Sequence, residues 1–101
     1  MNRLVLQAQL LEVGLVRYTP AGLMALDCSL KHESQVQEAG RPRKVSMEIK
    51  AVVIGDGVKR LQSLGVGAMA LFTGFLTTQR NGRGVIFHIT GIEGSSNSIA
   101  S

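Results

Sequence analysis

Arg41, Arg43, Lys44 and Lys50 fall within ten residues of one another, with Glu48 as the one acid among them. Single-stranded nucleic acid presents its phosphates as a line, and cations repeated along an extended segment can track it. Arg80 and Arg83 flank Asn81-Gly82, and no acid occurs from Thr77 to Ile92. Guanidinium forks at a turn can grip phosphates or lie against bases. Arg17 and Tyr18 precede Thr19-Pro20-Ala21-Gly22, so a cation and a ring share one loop mouth, where phosphate contact and base stacking combine. Each placement also has a plainer reading. Lysines on a strand face block edge-to-edge pairing, arginines at a turn aid solubility, and Tyr18 can close a barrel end as a lid.

The remaining reactive side chains form no catalytic constellation. His32 and His88 lack a cysteine or carboxylate at ligand spacing and read as structural strand residues. Cys28 alternates with Leu26 and Leu30, which places its thiol in a core rather than at a site. A single cysteine forms no internal disulfide, so a reducing compartment, the cytoplasm, is expected. Gly55-Asp56-Gly57 and Gly65-Val66-Gly67 lack the strand, loop and helix spacing of phosphate-binding motifs. No catalytic residue, metal or cofactor is expected.

The chain carries eleven Lys and Arg against seven Asp and Glu, net +4, which makes polyanions its natural partners. Residues 1–40 hold three bases against four acids, net −1, so residues 41–101 carry +5. With 101 residues there is one domain and little spare area in which to enclose a substrate. A hydrophobic content of 45% exceeds the needs of a small core, and a second copy of the chain is expected to cover the surplus. Gln7, Gln9 and Glu12 interrupt any leader-like apolar run, and no stretch approaches the roughly 20 residues of a spanning helix. Neither export nor membrane insertion is expected.

These residues are positioned by alternating segments. Arg3–Leu10 reads as a first strand, with Leu4, Leu6, Ala8 and Leu10 inward. The Pro20-Ala21-Gly22 turn leads to a second strand, Met24–His32. Residues 33–42, ending in Gly40 and Pro42, read as a mobile loop. A third strand over Arg43–Ile54 alternates Val45, Met47, Ile49, Ala51 and Val53 with Lys44, Ser46, Glu48, Lys50 and Val52. Val58, Leu61 and Leu64 recur at helical spacing, with Asp56 as cap and Gly65 as stop. Ala68–Thr78 reads as a fourth strand bent or bulged at Gly74. Asn81-Gly82 signals a tight hairpin into a fifth strand, Val85–Glu93. Residues 1–94 form the domain, and 95–101 read as a polar disordered tail. Five strands with one short helix between the third and fourth predict an all-β, five-stranded Greek-key barrel of the OB type, with other small all-β folds open.

In that order and spacing the chain resembles the PriB family, primosomal replication protein N. The residues that carry the resemblance span 2–93: Asn2-Arg3-Leu4-Val5-Leu6, Pro20-Ala21-Gly22, Leu30-Lys31-His32 with Ser34, Glu38-Ala39-Gly40, Val66-Gly67, Gly74-Phe75-Leu76, Asn81-Gly82, His88 and Ile92-Glu93. The resemblance implies a homodimer of OB folds that binds single-stranded DNA without catalysis and supports replication restart. It also implies partnership with the PriA helicase, DnaT and single-stranded DNA-binding protein. The family's basic residue before the first turn falls on Arg17, and its basic last loop, shorter here, on Arg80 and Arg83. Ser46 stands where the family pattern has a stacking aromatic, Arg41 where it has a second, and Glu33 where it has a base. The expected nucleic-acid-binding set is Arg17, Tyr18, Lys31, Arg41, Arg43, Lys44, Ser46, Lys50, Arg80 and Arg83. A protein-interaction adaptor and an RNA-binding module stand as alternatives.

Overall fold

A computed structural model describes residues 1–94, and the tail expected over residues 95–101 lies outside them. Period-two alternation builds β1 (Leu4–Val13), β3 (Met24–Glu38), β4 (Arg41–Ile54), β5 (Met69–Thr78) and β6 (Val85–Gly94). A two-residue strand, β2 (Arg17–Tyr18), precedes β3, and one helix, α1 (Gly57–Leu64), joins β4 to β5. The five long strands run β1-β5-β6-β4-β3, and β3 pairs back onto β1 to close the barrel. All neighbours are antiparallel except β4 and β6. This is the OB-fold barrel, with its helix after the third long strand; β2 merely adds a sixth, short strand on β3.

Leu6, Ala8 and Leu10 of β1 meet Leu26 and Leu30 of β3, Phe72 of β5 and Phe87 and Ile89 of β6 in one core. Phe72 and Phe87 are completely buried, each stabilising the fold by about 1.5–3 kcal/mol relative to exposure. The helix packs Val58 and Leu61 into the same core, and Arg60 Nε donates to the Ile92 carbonyl at 2.7 Å, tying α1 to β6. Asp56 holds the N-cap position, but its side chain makes no capping hydrogen bond; the Val58 amide instead donates to the Gly55 carbonyl at 3.1 Å.

Two irregularities set the barrel's curvature. β1 runs past Leu10 to Val13 because Leu11 is an extra residue, a bulge where the strand leaves β5 for β3. The bend expected at Gly74 is a bulge between β5 and β6, and its extra residue is Thr90 on the facing strand. Gly74 is buried so closely that a Cβ there would run into the His88 carbonyl oxygen. By resetting parity, the bulge lets Phe87, Ile89 and Ile92 all face inward.

The largest departure from expectation is the segment 33–42. It is no loop: β3 and β4 stay paired to Glu38↔Arg41, and Ala39-Gly40 alone reverses the chain. Both turn residues have positive φ, 54° and 78°, as a two-residue hairpin turn requires. The polar composition hid an alternating ribbon in which Ser34 faces Val45 and Val36 faces Arg43. β1 leaves β3 at Lys31 and β6 meets β4 only at residues 51–53, so the ribbon beyond these points stands as a two-stranded arm. Met47, expected inside, is 39% exposed for that reason.

Candidate nucleic-acid interface

The side chains of the β3, β4, β6 and β5 outer faces are ordered by register. Asp27 lies opposite Val52, Val52 beside His88, and His88 opposite Phe75; one step along, Ser29 lies opposite Lys50. Two loops wall this surface. On one side, the turn after β2 is held by the Thr19 and Gly22 amides, which donate at 2.8 Å to the Leu23 and Thr19 carbonyls. On the other, Gln79–Gly84 joins β5 to β6.

That second loop is not the tight Asn-Gly hairpin expected. The Gln79 amide pairs with the Gly84 carbonyl, and Gly82 donates to Gln79, so Asn81 occupies the third position of a β-turn. The Asn81 side chain accepts from the Arg83 amide at 2.8 Å, and Gly82 and Gly84 take the positive φ values. The mirror-image turn that Asn-Gly predicts occurs at Ala39-Gly40 instead.

Between the loops lies a groove of about 200 Å³. Arg17, Thr19 and Pro20 form one wall and Thr78 and Arg80 the other, with Val52, Ile54, Ile86 and His88 along the floor. A neighbouring cleft, sharing Ile86, adds Lys50, Asp27 and Gln79. Arg17, Arg80 and Lys50 are thus gathered on one face from three separate segments. Tyr18 is 67% exposed beside the groove and does not cap the barrel. Arg83 is exposed in the same loop as Arg80.

Asp27 governs the charge here. Arg17 donates to it through Nε at 2.9 Å and through a terminal nitrogen at 3.0 Å. This two-pronged contact raises the Arg17 pKa, and those hydrogen bonds, with a smaller contribution from Arg80, hold the Asp27 carboxyl below the usual range despite partial desolvation. Arg17 therefore enters the groove already engaged, while Arg80 does not share a salt bridge among the described residues.

The other expected cations follow the arm. Arg41, Arg43, Lys44 and Ser46 lie on β4 beyond the barrel, all exposed. Arg43 pairs with Glu38 at 3.0 Å, Lys31 faces Glu48, Ser46 faces Glu33 and Arg41 faces Glu38. Because strand residues alternate faces, Arg41 and Arg43 lie on the face of the ribbon opposite Lys44 and Lys50, and Glu38 offsets them there; on the outer face Lys44 lies opposite Gln35 and Lys50 opposite Ser29, with Glu33 and Glu48 the acids among them.

His32 is a satisfied structural residue: its Nδ1 donates to the Gln7 carbonyl at 2.6 Å and its Nε2 meets Ser34 Oγ at 2.8 Å. Burial pushes the Cys28 thiol up to about 12, so it stays protonated at neutral pH. Asp27 and the Phe75–His88 pair escaped the sequence reading. A signal for the pair exists, since counting outward from the Gln79–Gly84 loop makes residues 75 and 88 partners.

A family profile described as "another single-strand binding protein family" matches residues 2–91. Replication restart protein PriB of Bordetella pertussis is 48% identical over 80 residues, covering 79% of this chain and 75% of that protein. The solved structure of PriB from Ralstonia solanacearum superposes with a TM-score of 0.85 at 35% identity, over 93% of this chain and 97% of that one. A mutant single-stranded DNA-binding protein from Thermus aquaticus shares the fold, with TM-score 0.72 at 23% identity over 95% of this chain and 51% of that one. Because the profile match runs from β1 into β6 and includes both loops that wall the groove, the chain belongs to the PriB family of single-strand-binding OB-fold proteins.

Proposed function

We propose that this chain is a non-catalytic, homodimeric single-stranded DNA-binding protein of the replication-restart primosome, acting in the cytoplasm. The observation that carries the reading is the groove that brings Arg17, Arg80 and His88 together between two loops of an OB barrel. A strand laid across it meets apolar floor for bases and guanidinium walls for phosphates. We assign phosphate contact chiefly to Arg80, Arg83 and Lys50, with Arg17 and Tyr18 at the groove mouth. Lys31, Lys44 and Ser46 are proposed to line the path toward the arm, with Arg41 and Arg43 reached on the arm's other face near its tip. Exposed Val5, Met69 and Leu71 on the outer face of β1 and β5 support a second copy as the cover for that face. PriA helicase, DnaT and single-stranded DNA-binding protein are the proposed partners, in keeping with the restart proteins the chain resembles.

The test is fluorescence anisotropy of a labelled dT oligomer at several salt concentrations, with duplex and RNA competitors. About five phosphate contacts give a slope of log K against log salt near −3.5. Absence of salt-sensitive binding at low salt overturns the DNA reading.

A second reading, an adaptor that works through protein contacts, draws support from the neutralised cations: Asp27 on Arg17 and Glu38 on Arg43. It is favoured if helicase stimulation survives Arg80→Ala with Arg83→Ala. An RNA competitor that displaces the DNA oligomer at equal concentration favours the RNA-binding reading.

A further inference from the structure

Phe75 and His88 are opposed across β5 and β6, and their rings are stacked, with centroids 4.9 Å apart and planes within 15°. The pair is outward: Phe75 is 38% exposed, unlike Phe72 and Phe87 in the core. The backbone beneath it is fixed, because Gly74 lies against the His88 carbonyl with no room for a side chain. Phe75 covers one side of the imidazole, and His88 also lines the groove, beside Val52, Ile86 and the guanidinium groups of Arg17 and Arg80.

A flat aromatic guest with an attached phosphate matches this lining. Its ring can lie against His88, extending the Phe75–His88 stack by one layer, while its phosphate reaches Arg80. The phenyl holds the imidazole in place before binding, so little side-chain freedom remains to be lost when a base arrives. β4, whose outer face carries Ser46 on the arm, supplies no such ring; β6 does. We propose that the Phe75–His88 pair is a nucleobase-stacking platform in the groove, with His88 the residue that touches the base and Phe75 its positioning residue. This rests on the single-stranded DNA reading above.

The experiment compares a labelled dT oligomer with an abasic oligomer of equal length and label, at low salt, for the wild-type protein, His88→Leu, His88→Phe and Phe75→Leu. Base stacking on an aromatic ring makes the wild type prefer dT by about tenfold. His88→Leu loses that preference while keeping the abasic affinity, His88→Phe restores it, and Phe75→Leu lowers it part way. A thermal melt accompanies each variant, and Phe75→Leu decides the matter if His88→Leu does not fold: a lowered dT preference supports the platform and an unchanged one overturns it. Equal wild-type binding of both oligomers, or an equal loss on both in His88→Leu, overturns the platform and leaves the DNA reading intact. Failure of the wild type to bind either oligomer overturns both.

Discussion

Arg80 and Arg83 stand in a hairpin with no acid from Thr77 to Ile92, whereas Arg41, Arg43 and Lys44 of the arm share a ribbon with Glu33, Glu38 and Glu48. The arm carries as many acids as bases over residues 33–48, so its field is locally dipolar. The groove itself is lined by Arg17 and Arg80 and no acid, tempered by Asp27 and Glu12 in the neighbouring cleft. The support behind the two regions differs as well. Under the groove lie the Gly74 bulge and the core side chains of β5 and β6, while the arm has one hydrogen-bonded neighbour per strand. Equal densities of arginine in a sequence can therefore produce a well-supported, charged surface in one place and a neutral, weakly buttressed ribbon in another. Cross-strand partners and what packs beneath them decide which.

The difference in support is broken most directly at the glycines. Gly74→Ala forces a Cβ into backbone, and a loss of about 2–3 kcal/mol is expected in urea unfolding. Arg80→Ala with Arg83→Ala is expected to weaken dT binding and reduce the salt slope by roughly one to two. Arg43→Ala with Lys44→Ala is expected to move the slope by less, since Glu38 already engages Arg43. An equal change in both double variants would erase the charge distinction. Gly40→Ala, at φ 78° but with nothing within 4 Å, is expected to cost about 1 kcal/mol by strain alone; a cost matching that at Gly74 would mean the arm is as tightly built as the barrel.

Asp27 gives the smallest and most specific effect. Its carboxyl is depressed in the folded state, so the Arg17 pair stabilises the protein above the ordinary carboxylate value near pH ~4. That contribution disappears as pH falls through the lower folded value. Both side chains are partly exposed, 41% and 52%, which limits the pair to about 0.2–1 kcal/mol. Asp27→Asn should remove this acid-side loss in melts between pH 2 and 5 and, by freeing Arg17 and unshielding Arg80, tighten dT binding several-fold at neutral pH. Weaker binding by Asp27→Asn would show that Asp27 serves the ligand by orienting Arg17.

Much of this architecture was legible in the residues. The alternation of Leu4 to Leu10, Leu26 to Leu30 and Ala51 to Val53 determined strands with one buried face, and Val58 and Leu61 a helix with one buried stripe, because periodicity follows directly from backbone geometry. Gly74 announced the bulge, since a glycine inside a strand gives up side-chain packing. The segment 33–42 was illegible because its polar residues do not pay for burial, and its strand pairing depends on a partner already held in the barrel. Asn-Gly misled for a related reason: a turn preference only biases the local chain, and β5 and β6 stop pairing at Thr78↔Val85, which leaves six residues to turn, whereas β3 and β4 pair to Glu38↔Arg41 and leave two.

The chemistry divides in the same way. Residue types and their order established a small, cationic domain with one cysteine set among core residues, because charge and hydropathy belong to side chains one at a time. Which cations remain unpaired, that Asp27 holds Arg17, and that Phe75 backs His88 at the edge of a groove were decided by the tertiary structure, because each depends on distances of a few ångströms between residues far apart in the chain.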